Sequence, residues 1–105
     1  MSRLTEEFKT MTKQQSDIRF TVNPEANASI HDDGVVILHL GNGRFYTCNG
    51  TGARIWRAIE QRLSLEAIAL ELSSAYEIAL NIARQHTVRF LDELKLHALI
   101  QQEAL

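Results

Sequence analysis

The hydrophobic pattern of the chain changes period once, near residue 49. Before that point, Ile18 to Cys48 holds short apolar runs rich in Ile, Val, Phe, Thr and Tyr, interrupted by turn residues. That is the composition and punctuation of strands joined by hairpins. Ile18 to Val22 reads as a short lead-in strand that Asn23 and Pro24 break. Ala28 to His31 then runs into Asp33-Gly34, a hairpin signal, and Val35 to Leu40 forms the second main strand. Gly41-Asn42-Gly43 marks the next turn, and Arg44 to Cys48 forms the third strand. After Asn49 the apolar positions recur every three or four residues, the period of helices. Thr51 to Arg62 predicts a helix with Ile55, Trp56 and Ile59 inward, capped by Asn49 or Thr51. Ser64 caps a second helix with Glu66 in its first turn and Leu65, Ile68, Leu72 and Ala75 inward. A third helix is expected from about Leu80 to Leu99, with Val88, Leu91, Leu94 and Ala98 as its main stripe.

These elements predict an α+β fold, winged-helix-like, in which a three-stranded antiparallel sheet is followed by three helices (βββααα). Three strands cannot bury an apolar face alone, so the helices must cover one side. A loop of Gly41 to Gly43 would set Leu40 opposite Arg44, Leu38 opposite Tyr46 and Val36 opposite Cys48. Val36, Leu38, Tyr46 and Cys48 would then share the core face, with Val35, Ile37, His39, Phe45 and Thr47 on the other. Nothing after the helices reads as another strand. Residues 1–16 hold a loose stripe of Leu4, Phe8 and Met11 and are expected to be a flexible N-terminal extension, leaving residues 17–105 as one domain.

Composition narrows the function classes. The 105 residues suit one compact domain, too small for a deep enzyme cleft. Eleven Lys and Arg against thirteen Asp and Glu give a net charge of −2, with no electrostatic drive toward nucleic acid or anionic membrane. One cysteine cannot form an internal disulfide, and no Cys/His set has zinc spacing. No signal peptide or membrane-spanning run is evident, so a cytoplasmic location is expected.

The stretch GNGRFYTCNGTGARIW, residues 41 to 56, invites chemical readings that its spacing rejects. A phosphate-binding loop of the G-x-x-x-x-G-K-[ST] type needs a lysine, but Ala53 and Arg54 follow Gly52. The dinucleotide pattern G-x-G-x-x-G fails at Ile55 in one frame and at Tyr46 in the other. Cys48 falls on the expected core face, where a free thiol behaves as a small hydrophobe. His86 and His97 stand eleven residues apart, about 16 Å along a helix, and cannot share a metal. No catalytic residue, metal ligand or cofactor is expected. A winged-helix DNA-binding regulator remains an alternative, but Arg84, Arg89 and Lys95 share their helix with Asp92 and Glu93.

The strand Arg44 to Cys48 pairs only with Val35 to Leu40, which leaves its other edge open. Open edges invite another strand, and this one offers Phe-Tyr-Thr-Cys beside an amphipathic helix. At these residues the chain resembles a known family. DGVVILHLGNGRFYTCNGTGARIW, then LSLEAIALEL and VRFLDELKLHALI, resembles the PqqD-like family, the RiPP recognition elements, over about residues 27 to 100. The landmarks are G-R-[FY]-Y, then N-x-T-G-A-x-[IV]-W, then F-L-x-x-L-x-x-x-x-[LI]-[LI]. Gly50 stands where the family often has an acidic residue, Cys48 where it often has Leu, and Ala98 where Gly is common.

The resemblance implies a non-catalytic domain that binds the leader segment of a ribosomally made precursor peptide. It implies presentation of that leader to a leader peptidase, a cyclase or a radical SAM maturation enzyme. The leader is expected to add as a strand beside Arg44, Phe45, Tyr46, Thr47 and Cys48 and to lie against the third helix near Arg84, Thr87, Val88, Leu91, Asp92 and Lys95. NGTGARIW and the lack of a fused enzyme resemble the small partner of split lasso-peptide leader peptidases. A pyrroloquinoline-quinone (PQQ) pathway chaperone is the nearest alternative. Nucleic-acid and membrane partners are not expected, and the chain should be a monomer or a strand-mediated dimer.

Overall fold

The computed structural model describes residues 18–103. The expectation for residues 1–16 lies outside them. Four strands precede three helices, and a fifth strand follows: β1 Phe20–Val22, β2 Ala26–His31, β3 Gly34–His39, β4 Arg44–Asn49, α1 Gly50–Glu60, α2 Leu65–Tyr76, α3 Leu80–Leu96 and β5 Ile100–Gln102. β2, β3 and β4 form an antiparallel sheet in that order, and β1 pairs with β5 in a separate two-stranded ribbon. The fold is the expected α+β sheet followed by three helices, with β5 as an addition.

Helix starts follow the local chemistry. The Asn49 side chain accepts a hydrogen bond from the Gly52 amide, and that of Ser64 accepts from Ala67, so each satisfies an amide left free by the first helical turn. α2 ends at Glu77, whose left-handed φ of 52° turns the chain without Gly or Pro. α1 then packs on β3 and β4, and α2 packs on α3. Between them lies a core of Ile37, Ile55, Trp56, Ile59, Ile68, Leu72, Leu91 and Leu99. Each such side chain contributes roughly 1.5–3 kcal/mol by leaving water. Ala75, expected inside, is exposed, and Ala69 is buried in its place.

The register of the second hairpin departs from expectation by one residue. His39 pairs with Arg44, Ile37 with Tyr46 and Val35 with Cys48. The loop takes in Leu40, giving four residues, with Gly43 at φ 70° and its amide donating to the His39 carbonyl. The His39 ring sits under this loop and accepts at Nδ1 from the Gly41 and Asn42 amides. That contact is why the loop closes at His39 and not at Leu40. A one-residue shift exchanges the faces of a strand. On β3 the core side is therefore Val35, Ile37 and His39, not Val36 and Leu38. On β4 the expected inward pair, Tyr46 and Cys48, is half-buried against the core.

β5 contradicts the expectation of no later strand. Its three residues contain one buried side chain, Ile100, so no alternation announces it. It is held from several sides. Asn23 donates through its side chain to the Ala98 carbonyl and through its backbone to that of Leu99, and Arg62 forms an ion pair with Glu103. Ala98 takes a left-handed φ of 58° to release the chain from α3 toward β1, which removes it from the expected helical stripe.

Candidate functional site

β4 pairs with β3 on one side and with nothing on the other among the described residues. Which of its backbone groups face the open side follows from the first hairpin. β2 and β3 are joined by the two residues Asp32-Asp33, so His31 and Gly34 close the hairpin as a hydrogen-bonded pair. Backbone groups alternate along a strand, so Gly34, Val36 and Leu38 turn theirs to β2, and Val35, Ile37 and His39 turn theirs to β4. The His39 carbonyl, bonded to Gly43, and the Cys48 carbonyl, lying against Gly34, agree with this alternation. Tyr46 and Cys48 therefore spend their amides on β3, while the Arg44 amide donates to the Asn42 side-chain oxygen in the loop. Phe45 and Thr47 turn both N–H and carbonyl to the open edge.

Side chains alternate the other way. Tyr46 and Cys48 point to the helix side of the sheet, and Phe45 and Thr47 stand on the outer side, Phe45 with 67% of its surface exposed. The other outer strand, β2, follows Pro24 and exposes polar Asn27, Ser29 and His31.

α3 runs alongside the β4 edge across a gap. Where β4 runs into α1, the gap opens into a cavity of about 170 Å³ between the first turns of α1 and the middle of α3, lined by Asn49, Thr51, Gly52, Ile55, His86, Arg89, Phe90 and Glu93. Gly52 forms part of the floor because nothing larger fits. A Cβ there would lie 2.6 Å from the Cys48 Cβ and 3.0 Å from Phe90. At the far end the His97 ring meets Tyr46, with centroids 4.7 Å apart. His86, Phe90, Glu93 and His97 fall within about 60° of one another on the helix, at about 100° per residue. They present one wall to β4, apolar at Phe90 and charged at Glu93 and neighbouring Arg89. Burial, and secondarily the Glu93 carboxylate, push the Cys48 thiol above its ordinary range. The thiol stays protonated and packs as a hydrophobe, not as a nucleophile.

The expected site residues divide. Arg44, Phe45, Tyr46, Thr47 and Cys48 all lie on the open-edged strand. The six helix residues do not face it. Thr87 and Leu91 are buried in the core, the Thr87 hydroxyl donating to the Ala83 carbonyl. Arg84 reaches the other way, to Glu66 of α2, which raises its pKa further. Arg84, Val88 and Asp92 line an open depression along α3 that adjoins the groove wall at Arg89 and Glu93. Lys95 pairs with Asp92 and lies 5.8 Å above the Phe20 ring. Of the expected stripe, Leu91 and Leu94 are buried, whereas Val88 and Ala98 are exposed, so the helical phase is rotated from the expected one. Setting it on Ala83, Thr87, Leu91 and Leu94 turns His86, Phe90, Glu93 and His97 toward the sheet.

Among the described residues no cluster of His, Cys, Asp and Glu could hold a metal, and no helix is long and apolar enough to cross a membrane. The model of the family described as coenzyme PQQ synthesis protein D (PqqD) matches residues 34–100, more than half of the chain. The chain belongs to the PqqD family. The match begins at β3 and ends at the first residue of β5, so it contains the open edge, the groove and the α3 wall. Two solved structures share the PqqD-family architecture seen here. TbiB1 in complex with the TbiA(beta) leader peptide superposes with a TM-score of 0.75 at 25% identity, covering 81% of this chain and 99% of that one. Lasso peptide synthetase B1 complexed with the leader peptide superposes with a TM-score of 0.70 at 26% identity, covering 79% and 98%. No curated relative matches the sequence significantly.

Proposed function

We propose that this chain captures the leader segment of a ribosomally synthesised precursor peptide by strand addition to β4 and presents it to a maturation enzyme, without performing chemistry itself. The observation that carries this reading is the open edge of β4. It offers the amides and carbonyls of Phe45 and Thr47 beside a groove walled by His86, Phe90, Glu93 and His97. Both solved neighbours hold leader peptides, which supports the same use of this fold.

Backbone pairing supplies affinity that tolerates sequence variation. Alternate leader side chains entering the groove between Tyr46, Cys48 and α3 supply selectivity. The leader is ordered on binding, so part of the interaction free energy is spent on its lost conformational freedom, and moderate affinity is expected. The lasso-peptide type is favoured by the two neighbours. The family description names coenzyme PQQ synthesis, which keeps delivery of a precursor to a radical SAM enzyme as the second reading. A cytoplasmic location suits either pathway.

The test is fluorescence anisotropy with labelled leader peptides of a lasso-type and a PQQ-type precursor. Saturable binding of the lasso-type leader supports the favoured reading. Binding of the PQQ-type leader alone selects the second, and binding of neither rejects leader capture.

A further inference from the structure

Part of α3 faces away from the core and is apolar there. Val88 and Leu96 are 39% and 80% exposed, whereas Leu91 and Leu94 of the same helix are buried. The two exposed residues stand about 12 Å apart along the helix axis. Around them opens a depression of about 750 Å³, and every described residue that lines it belongs to α3. A helix is convex, so a second element would have to lie across these side chains to take them out of water. The rim carries charges in a fixed order, with Arg84 and Arg89 first and Asp92 and Glu93 after them.

Residues 1–17 carry the complementary pattern. Leu4, Phe8 and Met11 recur at helical spacing and would span about 10 Å as a helix, close to the separation of Val88 and Leu96. Glu6 and Glu7 precede Lys9 and Lys13. A helix laid parallel to α3 thus sets its acidic pair beside Arg84 and Arg89 and its lysines beside Asp92 and Glu93. The segment joins the described chain at the edge of the depression. The Leu65 amide donates to the Ile18 carbonyl, and Glu66, the next residue, pairs with Arg84 on the rim. The Phe20 ring centroid lies 5.8 Å from the ammonium of Lys95, which pairs with Asp92 and precedes Leu96. Extended, residues 12–17 reach up to about 20 Å, more than the path from Ile18 through Leu65 and Glu66 to Arg84 requires.

We propose that residues 1–17 fold back as an amphipathic helix into this depression, with Leu4, Phe8 and Met11 against Val88 and Leu96, in place of the flexible extension that composition suggests. The occupant belongs to the same chain and its tether begins at the rim, which raises its effective concentration there above that of a free partner. A helix this short is marginal in water alone, so docking is what holds it. Arg89 and Glu93 line both this depression and the cavity on the β4 side. The docked segment therefore stands at the shoulder of the groove and meets those two residues from the outer side.

Hydrogen exchange read by mass spectrometry on the full chain tests this. Amides of residues 4–13 should exchange at least tenfold more slowly than in a free peptide of residues 1–17. Val88→Gln is combined with Leu96→Gln, since both positions are exposed and glutamine favours helix. This variant should return the segment to within twofold of the peptide rate, while the amides of β3 keep their wild-type protection. Leu4→Gln combined with Phe8→Gln should release the same segment from its own side, and it carries the test if the α3 variant does not fold. Wild-type exchange at the peptide rate overturns the proposal, and so does retained protection in either folded double variant. Protection that rises with protein concentration, together with a dimer in sedimentation, overturns it in favour of docking on a second copy.

Discussion

The Tyr46 ring of β4 lies 4.7 Å from the His97 ring at the end of α3, with the planes tilted by 39°. This contact ties the open-edged strand to the helix beside it and closes one end of the groove. An aromatic pair of this kind contributes roughly 0.5–1.5 kcal/mol beyond its burial. Because His97 is otherwise exposed, His97→Ala should leave the thermal midpoint within a few degrees of wild type. It should weaken leader binding by about three- to tenfold, a loss in the range of that pair energy. Anisotropy and a melting curve on the same sample check both.

The two sides of α3 should behave differently. Phe90→Ala removes the apolar part of the groove wall and should weaken leader binding at least tenfold. Arg84→Ala breaks the surface pair with Glu66 on the opposite side and should leave affinity within twofold. Equal losses in both variants would mean that the leader contacts α3 in some other way. Leu91→Ala, which hollows the core, should lower stability by about 2–5 kcal/mol in urea.

That contrast bears on what could be read from the sequence. The caps at Asn49 and Ser64 and the inward Ile55, Trp56 and Ile59 were legible, because each depends on neighbours in sequence. The phase of α3 was not. Thr87 is fully buried, its hydroxyl returned to the Ala83 carbonyl, so a residue that reads as polar sits at the centre of the apolar stripe. The register of β3 was hidden for a related reason. His39 is buried as a loop cap, and Leu40 is exposed in the loop, the reverse of their polarities. β5 depends on pairing with β1, nearly eighty residues earlier, and three residues cannot signal that alone.

Gly52 should tolerate no side chain. The Cβ of alanine would meet the Cys48 Cβ at 2.6 Å and Phe90 at 3.0 Å, at the floor of the groove. Although alanine favours helix, Gly52→Ala should destabilise the protein by about 1–3 kcal/mol through overpacking. Urea unfolding checks the sign, and a gain in stability would contradict the packing described here.

Cys48 gives a pH dependence of known sign. Burial, then Glu93, raises its pKa in the folded state above that of the unfolded chain. The folded form thus holds the thiol proton more tightly. The resulting stability is fully present below the ordinary thiol range and is lost as pH rises through the higher folded value. Urea midpoints should fall more steeply between pH 8 and about 10 for wild type than for Cys48→Ala. Iodoacetamide should also label Cys48 more slowly than a free thiol, and more slowly again with leader bound.

The central claim is that the outward amide of Thr47 pairs with the leader backbone. Thr47→Pro removes that donor while sparing the hydrogen bonds to β3, which come from Tyr46 and Cys48. The decisive measurement is leader affinity by anisotropy for Thr47→Pro, beside Thr47→Ala as a control and with circular dichroism to show that both fold. The account predicts that the proline variant loses binding by at least tenfold and the alanine variant stays near wild type. Wild-type affinity in a folded Thr47→Pro protein would contradict strand addition at β4.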